Sequence, residues 1–202
     1  MHDLLIIRHG ESEWNLERRW QGWLDSQLTS LGLEQARHRA AGLASNGFSP
    51  VCVHSSDLGR ARRTAEIIAD ALAAPVRFDD GFRERSGGDF EGCTAEEIDE
   101  RWPGVRDAWR RGEISCPPGG EDDDTVFARF DAALARAAEA GVPSVIVTHG
   151  GALRLVATRA GVPVEALIPN LCGYWFRYDG DGLTHPDRIA PLDVPTKLPA
   201  TE

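Results

Sequence analysis

Two runs of aliphatic and β-branched residues, Leu4 to Ile7 and Ser144 to Thr148, end in the triplets Arg8-His9-Gly10 and Thr148-His149-Gly150. A run without polar alternation reads as a strand buried on both faces, and such strands belong to sheets covered by helices on either side. Helical patterns separate the two runs. The chain is therefore expected to form an α/β domain: a three-layer α/β/α sandwich with a mostly parallel central sheet. Ligands of such sheets bind beyond the carboxyl ends of the strands, which puts both imidazoles on one rim.

Thr29 opens a helix with Leu33, Ala36, Ala40 and Leu43 on one face, closing near Asn46-Gly47. A strand over Val51 to His54 follows. Ser55-Ser56-Asp57 supplies capping side chains for a helix with Leu58, Ala61, Ala65, Ile68 and Leu72 on its apolar stripe. Val76 to Phe78 makes a further short strand, and Thr94-Ala95-Glu96-Glu97 has the form of a capping box. Val126 or Phe127, with Phe130, Leu134 and Ala137, marks the helix that leads into the second histidine-ended strand. Cys172 to Tyr178 predicts a last strand, turned by Asp179-Gly180-Asp181-Gly182. Residues 1–185 read as one domain, and the proline-bearing stretch 186–202 as a loosely ordered C-terminal tail.

The net charge of −10 argues against partners that need a positive surface, namely nucleic acid and anionic membranes. An anionic ligand would have to be held by a local cluster of arginines. Met1-His2-Asp3 and four aliphatic residues do not make a signal peptide, and no stretch approaches about 18 apolar residues, so a cytoplasmic protein is expected. Cys52, Cys93, Cys116 and Cys172 show no metal or redox spacing and read as reduced thiols, Cys52 as a core residue. His2, His38, His54 and His185 show no ligand spacing with acidic neighbours, so no metal is called for, and a Walker loop is missing, which disfavours ATP or GTP hydrolysis by a P-loop enzyme.

Neutral imidazole is a good nucleophile toward phosphorus, and the guanidinium fork of arginine matches phosphate oxygens. Together they suggest phosphoryl transfer. Arg60 falls in the first turn of its helix, opposite the apolar stripe, from where it could reach the same rim; Arg62 and Arg63 read as solvated charge.

A longer ordered series then becomes visible. Leu5-Ile6-Ile7-Arg8-His9-Gly10-Glu11-Ser12-Glu13-Trp14-Asn15 resembles the opening signature of the histidine phosphatase (phosphoglycerate mutase-like) superfamily. Gln21-Gly22-Trp23-Leu24-Asp25, Leu28-Thr29 with Gly32, Ser55 to Ala61 with Thr64-Ala65, Arg83-Glu84 with Phe90-Glu91-Gly92, Pro118-Gly119-Gly120-Glu121 and His149-Gly150-Gly151 resemble its later blocks in the right order. The resemblance implies that His9 attacks phosphorus and becomes phosphohistidine, while Arg8, Arg60 and His149 bind the transferring oxygens.

Glu84 matches the family's acid, which protonates the leaving alkoxide and later takes a proton from water. A carboxyl beside a dianionic phosphate would have its pKa raised, predicting activity that falls at alkaline pH. Asp79, Asp80 and Asp89 are neighbouring candidates, ranked below Glu84 on the motif match alone. Asn15 and Gln21 match positions that contact the phosphoryl group or shape its pocket, and Gly150 is counted with them as substrate-binding. Trp14, Trp20 and Trp23 read as packing residues of the loop, while Ser12 either donates to the ligand or satisfies its turn.

The superfamily holds both hydrolases and mutases. The block around Glu17-Arg18-Arg19 is close to the mutases, whereas the segment from Glu84 to Pro118 is shorter than in cofactor-dependent mutases and resembles small phosphatases. The expectation is a phosphomonoester hydrolase acting on a small phosphorylated metabolite, with a cofactor-dependent phosphoglycerate mutase or a non-catalytic phospho-ligand binding protein as alternatives. Arg106, Arg110 and Arg111 read either as a second anion subsite or, more simply, as a solvated face. Cys172 to Tyr178 offers an edge on which a homodimer could form.

Overall fold

The computed structural model describes residues 2–141, 143–164, 167–178 and 182–184. The expected tail, 186–202, and the tip of the expected turn at 179–181 lie outside the described residues. Six strands form one sheet: β1 (His2–Arg8), β2 (Cys52–Ser55), β3 (Val76–Phe78), β4 (Ser144–Thr148), β5 (Gly173–Tyr178) and β6 (Leu183–Thr184). Their order is β3-β2-β4-β1-β5-β6. The first four positions are parallel, whereas β5 runs antiparallel to β1 and β6 antiparallel to β5. The sheet is mixed, with a parallel majority.

Seven helices accompany it among the described residues: α1 (Glu13–Leu16), α2 (Ser30–Ser45), α3 (Gly59–Leu72), α4 (Ala95–Arg101), α5 (Val105–Arg110), α6 (Asp123–Glu139) and α7 (Gly150–Arg159). The strands are buried on both sides because alternate residues enter different cores. Leu4, Ile6, Ile146 and Phe176 pack with Phe130, Leu134, Leu153 and Val156 of α6 and α7. Leu5, Ile7, Val53, Val145 and Val147 pack with Ala40 and Leu43 of α2 and Ala61, Ala65 and Ile68 of α3. Each fully buried Leu, Ile or Val contributes about 1.5–3 kcal/mol, so these runs have no stable alternative at a solvent face. The result is three layers.

A smaller cluster of Phe90, Cys93 and Ile98, covered by Trp20, Trp102 and Val105, joins the loop after α1 to the segment that carries α4 and α5. Trp20 stacks at ring distances of 5.7 Å from Phe90 and 5.4 Å from Trp109, in keeping with a packing role.

One expectation is corrected here. Thr94 and Glu97 do form the capping box of α4, but α3 is not capped by Ser55-Ser56-Asp57. Its N-cap is Leu58, which has no side-chain oxygen, and the first N–H groups of α3 go to Asp25 of a distant loop. Ser56 Oγ meets His149 and the N–H of Leu58 itself, ahead of the first turn, and Asp57 is paired with Arg83. Cys172 to Tyr178 does supply the last long strand: β5 pairs with β1 along one side, and on the other β6 pairs with its end, at Arg177 and Tyr178.

Candidate active site

β1 and β4 are neighbours, with Arg8 opposite Thr148. After β1 the chain enters α2 on one face of the sheet, and after β4 it enters α7 on the other, so a crevice opens where the connections diverge. The next residues, His9 and His149, stand side by side there. The His9 N–H donates to Thr148 O at 2.9 Å, and the two rings lie 5.2 Å apart in an edge-on arrangement.

His9 Nδ1 is 2.6 Å from the Gly10 carbonyl, which can only accept, so Nδ1 carries the hydrogen and Nε2 holds the lone pair. Burial, assisted by the charges of Arg60 and Arg8, holds the His9 pKa well below the ordinary imidazole range. A neutral ring with a free Nε2 is the nucleophilic form. His149 is depressed likewise, by burial first and then by Arg60, His9 and Arg8; its Nε2 lies 2.8 Å from Ser56 Oγ.

Arg8 Nη1 donates to Ile168 O at 2.7 Å, and burial lowers its pKa to about 10, with Glu84 opposing, so it stays charged at neutral pH. Arg60 lines the cleft, within the reach its place opposite the apolar stripe allows, and its side chain is only 1% exposed. The loop of residues 22–25 folds over it. Arg60 Nη2 donates to Gly22 O at 2.8 Å, and Nη1 donates to Leu24 O at 2.9 Å and Asp25 Oδ1 at 3.0 Å. Arg62 and Arg63 are exposed and pair with Glu66, as solvated charge does.

The Glu84 carboxylate is held at the start of α7, where Gly151 N–H donates to Oε2 at 2.9 Å and Ala152 N–H to Oε1 at 2.8 Å. Glycine at 151 makes room for this, since a Cβ there would lie 2.7 Å from Oε1. Asp79 instead pairs with Arg136, and neither it nor Asp80 or Asp89 lines the cleft.

The cleft has a volume of about 670 Å³. Arg8, His9, Asn15, Gln21, Arg60, Glu84 and Gly150 all line it; His149 stands behind His9. Gln21 Oε1 accepts from the Ser12 and Ser26 hydroxyls, and Asn15 completes the cap of α1 with Ser12. Ser12 thus satisfies its own turn. Arg106, Arg110 and Arg111 do not line the cleft, and Arg106 and Arg111 are paired with Asp99 and Glu113.

Several lining residues had no sequence signal. Asn170 Nδ2 donates to His9 O at 2.9 Å and to Asn15 Oδ1 at 3.2 Å. It arrives through the antiparallel pairing of β5, which lays residues 171 and 172 along Arg8. Arg18 and Arg154 are exposed at the cleft and carry no ion pair among the described residues, while Arg19 and Arg85 are tied to carboxylates. Six arginines therefore face two carboxylates, Glu11 and Glu84, in a chain that is acidic as a whole.

Among the described residues, four buried side-chain nitrogens lack a partner, and three of them belong to Arg8, Arg60 and His149. Unmet buried donors cost about 1–3 kcal/mol each, and their concentration around one imidazole marks a place for an oxyanion. No group of three or more His, Cys, Asp or Glu that could hold a metal occurs among the described residues.

Residues 4–186 match the histidine phosphatase superfamily (branch 1). A glucosyl-3-phosphoglycerate phosphatase of Mycolicibacterium vanbaalenii is 38% identical over 172 residues, covering 80% of this chain and 76% of that one. A 2,3-bisphosphoglycerate-dependent phosphoglycerate mutase of Methylobacterium radiotolerans is 33% identical over 176 residues, covering 83% of each. The structure of a mycobacterial glucosyl-3-phosphoglycerate phosphatase in complex with VO3 superposes with a TM-score of 0.76 at 32% identity, covering 91% of this chain and 96% of that one.

Proposed function

Because this chain belongs to the histidine phosphatase superfamily, branch 1, we propose that the cleft hydrolyses a phosphomonoester through phosphohistidine. The enzyme is a histidine phosphatase with residues 1–185 as its catalytic domain. The observation that carries this reading is the neutral His9, its Nε2 free, encircled by the unmet donors of Arg8, Arg60 and His149.

His9 Nε2 attacks phosphorus while the phosphoryl oxygens take hydrogen bonds from Arg8 and Arg60. Positioning and charge compensation dominate phosphoryl transfer, and a buried cluster supplies both. Ser56 Oγ, which accepts from the Leu58 N–H, spends its hydrogen on His149 Nε2, leaving the ring proton on Nδ1 as a donor to the phosphoryl group. Glu84, on the cleft wall, protonates the leaving oxygen and then takes a proton from the water that cleaves phosphohistidine. No step needs a metal or other cofactor. Asn15, Gln21 and Gly150 shape the phosphoryl pocket.

The substrate is a small phosphorylated metabolite whose leaving group lies against Trp14, Arg18, Arg154 and Leu167. The relatives' names include both a phosphoglycerate-derived phosphatase and a mutase. The short segment between Glu84 and Pro118 favours hydrolysis, because it is spent on α4 and α5 packing around Trp20. Among the described residues no helix is long and apolar enough to cross a membrane, and the cytoplasm is the compartment proposed.

Phosphate release from an aryl phosphate and from 3-phosphoglycerate, without metal, tests the reading. Release by the wild type and none by His9→Ala is expected. Conversion of 3- to 2-phosphoglycerate without net phosphate release would replace hydrolase by mutase.

A further inference from the structure

Glu91 is not on the cleft wall, yet its carboxylate ties the two catalytic loops together. Oε1 accepts from the Trp23 N–H at 3.0 Å, the Gly87 N–H at 2.8 Å and the Ser86 hydroxyl at 3.2 Å, and Oε2 accepts from the Leu24 N–H at 3.2 Å. The Trp23 N–H belongs to the same peptide unit as the Gly22 carbonyl, and that carbonyl accepts from Arg60 Nη2. A peptide unit is planar, so fixing its N–H fixes the aim of its C=O. Glu91 and Arg60 thus grip one peptide from its two ends, and the Leu24 carbonyl takes a second bond from Arg60.

The other side of Glu91 reaches the acid. Ser86 and Gly87 follow Glu84 closely in the chain, and the indole of Trp23, the residue whose N–H Glu91 holds, donates to Glu84 O at 2.8 Å. The turn is shaped for this approach: Gly22 has φ +53°, and a Cβ there would stand 2.1 Å from Glu91 Oε1. Charge points the same way. Burial lowers the Arg60 pKa, and the carboxylates of Asp25, Glu84 and Glu91 counter it.

We propose that Glu91 is a positioning residue of the hydrolysis: by holding the Gly22–Leu24 peptides and the Ser86-Gly87 loop on one carboxylate, it aims Arg60 at the phosphoryl group in register with Glu84. The inference rests on the hydrolase reading. Its effect passes through Arg60 and Glu84, since Glu91 itself touches no reacting atom.

The test uses the full chain, an aryl phosphate as substrate and inorganic phosphate as ligand. Glu91→Gln keeps the size of the side chain but loses its charge and one acceptor. The expected result is a loss in kcat/KM of about 10- to 100-fold per folded molecule, the scale of a misplaced catalytic group. Inorganic phosphate affinity by calorimetry falls by about tenfold, as for a charged hydrogen bond. Glu91→Asp recovers part of both. In an Arg60→Lys background, Glu91→Gln costs much less, because the group it positions is already compromised.

Wild-type kcat/KM and phosphate affinity in Glu91→Gln, or losses fully additive with those of Arg60→Lys, would overturn the proposal. If Glu91→Gln does not fold, Glu91→Asp and Ser86→Ala carry the same comparison. A wild type that binds phosphate but cleaves no ester would sink the hydrolase reading alone, since the binding comparison still decides the role of Glu91.

Discussion

On the sheet rim, Arg8 and His9 are set by backbone bonds to Cys172 and Thr148, whereas Arg60 and Glu84 on the facing wall are set by side chains reaching between loops. The rim is the sheet's own continuation, so its geometry is as stiff as the ladder between β1 and β4. The wall depends on charge: Asp25 on Arg60, Glu91 on the 22–24 peptides, and Arg129 on the carbonyls of Gly81, Arg83 and Glu84. The difference teaches that the proposed nucleophile is placed by the fold, while the groups proposed to compensate charge and move protons are placed by a second polar framework. The two should fail differently.

Replacing the nucleophile gives the largest effect. His9→Ala should lower kcat by a factor of about 10⁴ or more, with an intact fold by circular dichroism, because His149, the other imidazole on the rim, has its Nε2 engaged by Ser56. A variant that keeps even a tenth of wild-type turnover would show that phosphohistidine is not on the path.

Next comes the acid on the wall. Glu84→Gln should cost about 100- to 1,000-fold on an alkyl phosphate, whose leaving group needs a proton, and far less on p-nitrophenyl phosphate, whose leaving group does not. Equal losses on both esters would mean that Glu84 works through charge or structure rather than as an acid.

A smaller effect is expected from the wall's support. Asp25→Asn should reduce kcat/KM about tenfold, since Arg60 loses its carboxylate partner. It should also destabilise the fold by about 1 kcal/mol, as removal of a helix cap does. Chemical denaturation together with steady-state kinetics separates the two losses. If activity is kept while stability drops, the comparison between rim and wall fails at this residue.

The smallest effect concerns acid sensitivity rather than rate. Burial holds His54 at about 4, below its ordinary 6.5, with Arg77 assisting, and also holds His9 and His149 well below the ordinary imidazole value. A histidine whose folded pKa lies below its unfolded one binds fewer protons in the folded state. Its contribution is therefore complete above about 6.5 and is lost as pH falls. For His54 the window closes near 4. Melting temperatures should drop between pH 7.5 and 5, and less steeply in His54→Leu, which removes one of the three groups. An unchanged slope in that variant would assign the acid sensitivity to the rim alone.

The parts of the site that could be read from the chain are those whose signal is local. His9 and His149 are visible because each follows an aliphatic run directly, and a strand's end is a place the pattern itself marks. Arg60 shows the limit: its position in the first turn of α3 was legible, but its burial was not, because the loop that covers it comes from residues 22–25. Asn170 and Arg154 left no trace, and Arg18 only a block likeness, since their place at the cleft follows from the pairing of β5 and the direction of α7.

The sequence by itself determined the layer architecture, the strand ends that carry the histidines and, through the ordered motif series, the superfamily. These follow from alternation, helical period and short spacings, which depend on neighbours a few residues apart. Only the tertiary structure decided that β5 is an interior strand, that Asp25 caps α3, and that Glu91 ties the arginine loop to the acid. Those outcomes rest on which distant segments meet, and polar side chains choose partners only after the hydrophobic layers have brought the segments together.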